Sequence, residues 1–304
     1  WEFIDFSFDQ PVISIEMHTP LRGSPSIMVM LPDSSLLLME NTPDGTSSGR
    51  WVTRDLASAD TANIGISSSG QPLILFHSSD ALMTLTVTGN TGLDYALGSG
   101  NGLGKQMDSA HDSNGFQRLG HTSPDYSSIF YTEETSTGFA TTTVRSSIDL
   151  LYPIQMHVDS NDISRMVYVD DDDQMVRLAT LNGTWDEISI LNTTIGDDFD
   201  TIWDSDDTLI FAQIAVSNNS AMLQIVEYKN NITTITDLVE ANLSSTFEMT
   251  ELDELLIVSI IDSDKLTIFE RLATGGNWSI AKELWLLGET EEISLAMNGQ
   301  VVLF

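Results

Sequence analysis

The sequence has no cysteine and few positive charges, and each scarcity excludes a class of site. Without cysteine among its 304 residues, disulfides, zinc–thiolate centres and thiol nucleophiles are excluded. Lys and Arg number 12 against 45 Asp and Glu, which gives a formal net charge of −33 at pH 7. Nucleic acid and anionic membrane surfaces would be repelled, so neither is expected as a partner.

Long apolar runs and sustained helical periodicity are also missing. No stretch approaches the ~20 apolar residues of a membrane span, so direct membrane insertion is not expected. The first ten residues lack the basic and apolar regions of a signal peptide, and Trp1 is interpreted as a processed or internal start. Hydrophobic residues still make up 41% of the chain, which is typical of a folded domain. The acidic charge is therefore expected on the surface of a real core, an arrangement that suits a saline exterior.

Short segments with one shared plan, a polar turn followed by a β-branched or aromatic run, recur on average about every 46 residues. Their leading residues are Gly23, Gly70, Asp125, Asp162, Asp207, Asp253 and Gly299. Gly115 would space the third repeat more evenly, but SPDYSSIFYTEE aligns with SNDISRMVYVDD without a gap and favours Asp125. Trp51, Trp185 and Trp278 each open a run that closes a repeat, and they fit the same period.

Each repeat resolves into four short strands. One reads PIQMHV, SRMVYV, QMVRLAT and TWDEISIL, joined by DSND, DDDD and LNG. This pattern predicts an all-β fold, a seven-bladed β-propeller of four-stranded antiparallel blades in one domain, 1–304. The approximate blades are 12–57, 62–97, 116–150, 153–192, 199–240, 246–288, and 291–304 paired with 1–9. Pairing the N-terminal and C-terminal strands in the last blade would close the ring and remove exposed edges.

The unit DSNDISRMVYVDDDDQMVRLATLNGTW resembles the blade repeats of secreted and cell-surface β-propeller proteins of prokaryotes. These repeats carry an Asp-Ser-Asn-Gly-like turn, an aromatic second strand and a late Trp. The resemblance covers the whole chain and implies a propeller fold in an extracellular setting. A second similarity, to the Asp-box of sialidase-type propellers, is limited to TPDGTSSGRW and NGTW, where the spacing is broken or the Asp is absent. No sialidase activity is inferred from it.

Four consecutive aspartates fall in the predicted hairpin between the second and third strands of one blade. Asp33, Asp80, Glu133, Glu134, Asn218, Asn219, Asp262 and Asp264 occupy the counterpart hairpins, and Asp and Asn favour such turns. The excess charge predicts a cation patch, with Ca²⁺ as the candidate ion because it prefers six to eight oxygen ligands. Its residues are Asp170, Asp171, Asp172, Asp173, Asp197, Asp198 and Asp200. The alternative is a solvated acidic surface.

Six Asn-x-Ser/Thr sequons lie in or beside predicted turns, at Asn182, Asn192, Asn218, Asn231, Asn242 and Asn277. They predict N-glycosylation if the protein is exported, whereas the turn preference of Asn is the simpler explanation. Asn182, Asn231 and Asn277 share one turn, just before the fourth strand.

His18 and His157 fall at equivalent places in two first strands, where a channel-lining role is expected. His77, His111 and His121 show no metal-ligand spacing. No catalytic signature is present, since GSGNGLGKQ departs from the phosphate-loop pattern and 45 acidic residues discriminate no catalytic pair.

The sequence thus favours a non-catalytic extracellular or cell-surface interaction module with a protein or glycan partner, in self-assembly or a larger surface complex. A carbohydrate-active enzyme working at the channel mouth and a cation-dependent adhesion module are the alternatives.

Overall fold

A computed structural model describes the strands within 14–99, residues 107–285 apart from short gaps, and two strands within 293–303. The gaps fall at 124, 137, 151–153, 193–194, 205, 218–219 and 253–254, and side chains are described for most of 107–285. This part of the chain contains strands and turns and no helix, so it offers no helix able to cross a membrane. The all-β prediction is confirmed.

The strands form six four-stranded sheets and one two-stranded sheet, numbered here 1 to 7 in chain order. Sheets 1 to 3 contain β1 (Ser14–His18), β2 (Ser26–Met30), β3 (Leu36–Asn41) and β4 (Ser47–Thr53); β5 (Ala62–Ile66), β6 (Pro72–Ser78), β7 (Ala81–Thr88) and β8 (Thr91–Ser99); and β9 (Met107–His111), β10 (Gln117–Thr122), β11 (Ser128–Thr135) and β12 (Gly138–Ser146).

Sheets 4 to 7 contain β13 (Gln155–Val158), β14 (Ser164–Asp170), β15 (Met175–Asn182) and β16 (Thr184–Asn192); β17 (Ile195–Trp203), β18 (Leu209–Ser217), β19 (Ser220–Lys229) and β20 (Ile232–Glu240); β21 (Thr246–Leu252), β22 (Leu255–Asp262), β23 (Lys265–Leu272) and β24 (Ser279–Trp285); and β25 (Ile293–Ala296) and β26 (Gln300–Leu303). Consecutive strands pair as antiparallel meanders, as in β17 to β20. The four-strand repeat inferred from the sequence is therefore present.

The chain divides into two compact units. One comprises Phe6–Asp172 and Leu178–Ile188 and holds sheets 1 to 3 and most of sheet 4. The other includes Asp173–Arg177 and Ser189–Phe304 and holds sheets 5 to 7. The single-domain interpretation stays a prediction.

Apolar cores lie between neighbouring sheets of each unit. Sheets 3 and 4 share a cluster that includes Tyr131 and Tyr168, which are fully buried. Trp185 packs edge-on against Tyr131, with ring centroids 5.1 Å apart. In the other unit Trp278 packs against a cluster shared by sheets 5 and 6. Trp185 near the start of β16 and Trp278 just before β24 thus cover the cores between sheets.

One turn is built identically between the first and second strands of sheets 3, 4 and 5. It begins at Asp112, Asp159 or Asp204, whose Oδ1 accepts the amides two and four residues later at 2.9 to 3.0 Å. The fourth residue is left-handed, with φ of 81° at Gly115, 62° at Asp162 and 57° at Asp207. Glycine or Asp is expected there because most L residues avoid this conformation. The Asp-Ser-Asn-Gly-like motif is therefore a structural turn.

This turn corrects the third repeat. The structure places Asp125 between β10 and β11, so the equivalent of Asp162 is Gly115 and the choice of Asp125 was wrong. The third blade begins with β9 at Met107 rather than at 116. The error arose because the turn from Ser123 also has a left-handed fourth residue, Tyr126 (φ 58°), and so mimics the repeated one.

The same shift misplaced two acidic residues. Glu133 and Glu134 lie in the third strand β11, not in a hairpin between second and third strands. The four aspartates do occupy that hairpin in sheet 4, because β14 ends at Asp170 and β15 begins at Met175. The predicted strand at 1–9, Asp33, Asp80, Asn218 and Asn219 lie outside the described residues.

Candidate functional site

Two aspartates of the acidic hairpin of sheet 4, Asp170 and Asp173, interact with arginine side chains. Asp170 is buried, and one of its oxygens lies 3.5 Å from the guanidinium of Arg145. Asp173 forms an ion pair with Arg177. The amide of Asp171 donates to the carbonyl of Asp149 at 2.7 Å, which fixes the hairpin against the preceding connection.

Asp200, also assigned to the cation patch, binds main-chain amides. Its Oδ1 accepts Thr201 N at 2.8 Å and its Oδ2 accepts Met249 N at 2.7 Å, which joins first strands β17 and β21. Asp197 and Asp198 lie in β17, with side chains outside the described set. Among the described side chains, no group of three or more His, Asp or Glu is placed to hold a metal ion. The Ca²⁺ patch stays a prediction.

The bridge made by Asp200 has a counterpart in the other unit that the sequence did not reveal. Asp108 accepts Ser109 N at 2.7 Å and Met156 N at 2.6 Å, and so joins first strands β9 and β13. Burial raises the pKa of Asp108 to about 6, although the two amide hydrogen bonds favour the charged form. These aspartates link neighbouring sheets rather than forming a catalytic pair.

A pocket bordered by charged side chains lies between sheets 5 and 6 and is called here the sheet 5–6 pocket. Its volume is about 350 Å³. It is bounded by the turn after β17, the end of β19 with the hairpin into β20, and the end of β23 with the turn before β24. The lining residues are Asp204, Asp206, Thr208, Glu227, Lys229, Asn230, Ile232, Thr234, Arg271, Ala273, Thr274 and Gly275.

Arg271 is the central charged group of this pocket. It is only 8% exposed, and its guanidinium donates to Glu227 of the neighbouring sheet. The same guanidinium lies over the ring of Trp278, 5.0 Å from the centroid, so a cation–π contact holds it from the other side. Its Nε is buried and has no hydrogen-bond partner among the described residues. The sheets thus place a fixed, partly unsatisfied donor group in a concave site.

The rim of the pocket is mostly polar. Lys229 Nζ lies 3.3 Å from an oxygen of Asp206, and both side chains are exposed. The hairpin from β19 to β20 turns on Asn230 and Asn231, with φ of 51° and 63°. Ile232, 66% exposed, supplies an apolar surface beside this hairpin. The site therefore combines hydrogen-bonding groups with a small apolar patch.

A second polar depression of about 370 Å³ lies at the connection between sheets 5 and 6 and the hairpin from β22 to β23. Asp262 accepts hydrogen bonds there from the Asn242 amide and, at 2.9 Å, from Ser245 Oγ. Its polar groups bind one another.

Three of the histidines noted in the sequence, His18, His121 and His157, lie within strands. His18 and His157 lie in first strands β1 and β13. His121 is fully buried in β10, with Nε2 2.9 Å from Thr132 Oγ1, and burial lowers its pKa to about 4.

Five of the six sequon asparagines are exposed: Asn182, Asn192, Asn231, Asn242 and Asn277. The sixth, Asn218, lies outside the described residues. Their modification stays a prediction.

Sequence reasoning missed the sheet 5–6 pocket. Trp278 was noted as a repeat marker, but its link to Arg271 depends on a hairpin between them. Glu227 and Arg271 are 44 residues apart and meet because they lie in third strands of neighbouring sheets. The available signal was the rarity of arginine in so acidic a chain.

No protein family model matches the chain, and no curated protein matches it either. Solved structures do match over most of its length. A polysaccharide lyase described as a PL25 ulvan lyase has a TM-score of 0.61 at 11% identity, covering 88% of this chain and 82% of its own. The SapL1 lectin in complex with alpha methyl fucoside has a TM-score of 0.54 at 13% identity, covering 88% and 94%.

The WD40 domain of SCAP from fission yeast matches with a TM-score of 0.58 at 11% identity, covering 86% of this chain and 62% of that one. At such identities the likeness concerns the fold alone. Four-stranded antiparallel sheets repeated along the chain, matched by proteins of this architecture, show that the chain has a β-propeller-type fold.

Proposed function

We propose that this protein is a non-catalytic glycan-binding β-propeller displayed outside the cell, and that the sheet 5–6 pocket binds a neutral sugar unit. The observation that carries the proposal is the buried Arg271, fixed between Glu227 and Trp278 in a pocket of about 350 Å³. Ligand pockets of this kind place a few convergent polar groups in a concave, pre-formed site.

The chemistry of the pocket matches that of a sugar ring. A sugar presents neighbouring hydroxyls, which both donate and accept hydrogen bonds, and a face of C–H groups. The planar guanidinium of Arg271 donates to hydroxyl oxygens, and the carboxylate of Glu227 accepts from hydroxyl protons. Ile232 and Ala273 supply apolar surface for the C–H face. Because Trp278 holds the guanidinium, little side-chain freedom is lost on binding.

The charge balance favours a neutral sugar over an acidic one. The lining includes three carboxylates, on Asp204, Asp206 and Glu227, and two cations, on Lys229 and Arg271. Each cation already faces a carboxylate. An anionic sugar would therefore compete with these carboxylates, in a chain that carries −33 overall.

The solved neighbours support a carbohydrate role. One is a lectin whose structure contains alpha methyl fucoside, and two are polysaccharide lyases. The two polysaccharide lyases also support the alternative that this protein is a carbohydrate-active enzyme. A lyase site in this pocket would need a free base. Asp204 already accepts two turn amides through Oδ1, and the other two lining carboxylates, Asp206 and Glu227, face Lys229 and Arg271.

Isothermal titration calorimetry against a panel of methyl glycosides tests the proposal. The panel contains neutral hexoses, deoxyhexoses and N-acetylhexosamines, with a uronic acid as the anionic comparator. We expect at least one neutral glycoside to bind, and Arg271→Gln and Glu227→Gln to weaken it by at least about tenfold, equivalent to about 1.4 kcal/mol.

Lys265→Gln is the matched control, because Lys265 forms an exposed ion pair with Glu283 outside the pocket. It should bind as the wild type does, and melting curves of all three variants report whether they fold. Failure of every neutral glycoside to bind, or equal binding by all variants, would contradict the pocket assignment. Cleavage of a polysaccharide, seen as new reducing ends or unsaturated products, would contradict the non-catalytic assignment.

We also propose that residues 1–9 add a strand to sheet 7 and close a ring of seven blades. Protection of the amides of residues 1–9 from hydrogen exchange is the expected observation. The proposed location outside the cell is supported by the acidic composition of the chain.

We also propose that the acidic hairpin of sheet 4 binds Ca²⁺ in adhesion. Removal of Ca²⁺ by EDTA at constant ionic strength should then lower the melting temperature.

A further inference from the structure

Three of the six sequons occupy one position of the repeated sheet. Asn182 ends β15 and its hairpin leads into β16; Asn231 lies in the hairpin from β19 to β20; Asn277 lies between β23 and β24. All three are therefore in the connection between third and fourth strands, in three consecutive sheets. Each asparagine is exposed.

The backbone around these asparagines leaves room for a large substituent. Gly183 and Gly276, which adjoin Asn182 and Asn277, have φ of 79° and 122°, and a Cβ added to either would meet no atom within 4 Å. Asn231 is the second residue of a two-residue turn with φ of 63°. Such hairpin tips project from the sheet, and their asparagines are selected for turn geometry as well as for any modification.

The side-chain amide of Asn231 uses its oxygen, and not its nitrogen, in the hydrogen bond described for it. Its Oδ1 accepts a hydrogen bond from Tyr228 Oη at 2.7 Å, which turns Nδ2, the atom that carries an N-linked sugar, away from the tyrosine. The hydroxyl residue of the sequon, Thr233, is the second residue of the following strand, β20.

Asn242 supplies the contrast within the same unit. Its Nδ2 donates to Asp262, its main-chain amide donates to Ser245 Oγ at 3.2 Å, and both partners belong to the depression between sheets 5 and 6. A sugar on Nδ2 would crowd Asp262 and disturb this network. Exposure alone therefore does not distinguish the sequons, whereas the orientation of the amide does.

We propose that Asn182, Asn231 and Asn277 are N-glycan attachment sites, one on the hairpin before the fourth strand in each of sheets 4, 5 and 6, and that Asn242 is not one. The ligand at these sites is a covalently attached oligosaccharide. This assignment depends on export and not on sugar binding by the sheet 5–6 pocket.

The test is site mapping on the full chain secreted from a cell that N-glycosylates its exported proteins. Enzymatic release of the glycans in ¹⁸O-labelled water marks each formerly modified asparagine as a labelled aspartate, which peptide mass spectrometry quantifies. We expect the three hairpin sites to be mostly occupied and Asn242 to be mostly unmodified. Occupancy of Asn242 equal to that of Asn231, or bare hairpins, would overturn the proposal.

Variants of neighbouring residues test whether the orientation of the asparagine amide, rather than the sequon alone, determines glycan occupancy. Asp262→Ala frees the Asn242 amide, so occupancy of Asn242 should rise; Asp264→Ala, in the same exposed turn, is the matched control and should leave it unchanged. Melting of the secreted proteins confirms folding. If Asp262→Ala fails to fold, Tyr228→Phe provides the second test, since loss of its hydroxyl should lower occupancy at Asn231 and at no other site. Unchanged occupancy in the variant that folds would overturn the role of amide orientation.

Discussion

Buried titratable side chains give the protein its clearest pH response at the scale of single residues. His121 is fully buried in β10, contacts Thr132 Oγ1, and stacks on Phe130 with ring centroids 5.6 Å apart. Burial lowers its pKa to about 4, whereas the unfolded chain titrates near the ordinary value of 6.5. Between these values the unfolded chain binds the additional proton, so His121 makes the fold less stable as the pH falls.

Replacing His121 with Leu should flatten this pH dependence. We expect the wild type to lose on the order of 3 kcal/mol relative to His121→Leu as the pH falls from about 6.5 to about 4. Chemical denaturation at several pH values measures the difference. Asp172→Asn, at an exposed position, is the control for net charge, and an unchanged slope in His121→Leu would contradict the prediction.

Asp108 should act in the opposite sense. Its folded pKa is raised to about 6 by burial, above the ordinary 3.8, so the folded state holds the proton more tightly and stability falls as the pH rises through this window. Asp108→Asn cannot titrate. Its free energy of unfolding relative to the wild type should therefore increase between pH 4 and pH 7.5, by roughly 1 to 3 kcal/mol.

The comparison across pH isolates the charge from the lost hydrogen bond. Asn retains one acceptor oxygen for the amides of Met156 and Ser109, and that change is the same at both pH values. A pH-independent difference between Asp108→Asn and the wild type would show that the carboxyl titrates normally.

At the scale of elements, the repeated Asp turn has two versions of different strength. In sheets 3 and 4 the Asp also pairs with an arginine six residues later: Arg118 with Asp112 at 2.7 Å and Arg165 with Asp159 at 2.6 Å. In sheet 5 the residue at that position is Ile210, so Asp204 has the turn amides without this arginine.

We therefore expect Asp159→Ala to destabilise more than Asp204→Ala. The first removes two amide bonds together with the buried carboxylate that pairs with Arg165, a loss of about 2 to 4 kcal/mol. The second removes the amide bonds alone, about 1 to 2 kcal/mol. Urea unfolding measures both, and equal losses would contradict the role given to the arginine.

Element-scale features were the most predictable from sequence. Alternation, turn residues and the spacing of tryptophans predicted the strands and their grouping in fours, because both depend on neighbouring residues. The predicted start of the third repeat was wrong because two successive turns each have a left-handed fourth residue, Gly115 in one and Tyr126 in the other. Local signals do not state which pair of strands a turn connects.

The candidate site was much less predictable. Glu227 with Arg271, Asp108 with Met156, and Asp200 with Met249 all join neighbouring sheets across 44 to 49 residues. Such contacts depend on how sheets pack, which a sequence pattern of period two does not encode. The acidic hairpin was predicted as a site because its charges are adjacent in sequence, whereas the sheet 5–6 pocket is assembled from separate strands and was not predicted.

At the scale of the whole molecule, net charge is the dominant quantity. A charge of −33 on 304 residues means that folded chains carry strong self-repulsion at low salt. Raising NaCl from ~0.05 M to ~1 M shortens the screening length from more than 10 Å to about 3 Å. We expect the melting temperature to rise by several degrees over this range, as followed by circular dichroism.

Ionic strength and specific cation binding are distinguished by matched salts. NaCl and CaCl₂ at equal ionic strength should stabilise alike if screening acts alone, and CaCl₂ should add a further increase if the acidic hairpin binds Ca²⁺ as proposed. A melting temperature that falls with added NaCl would contradict the account of the charged surface.

Binding of a neutral sugar at Arg271 in the sheet 5–6 pocket can be observed on the arginine itself. The most direct measurement is a titration of ¹⁵N-labelled protein with the neutral methyl glycosides, following the arginine Nε–H signals, with that of Arg271 assigned by its loss in Arg271→Lys. We expect one neutral glycoside to shift the Arg271 signal saturably and a uronic acid to leave it unchanged. An Arg271 signal that stays unchanged under every glycoside, or a sugar that shifts other arginines instead, would contradict it.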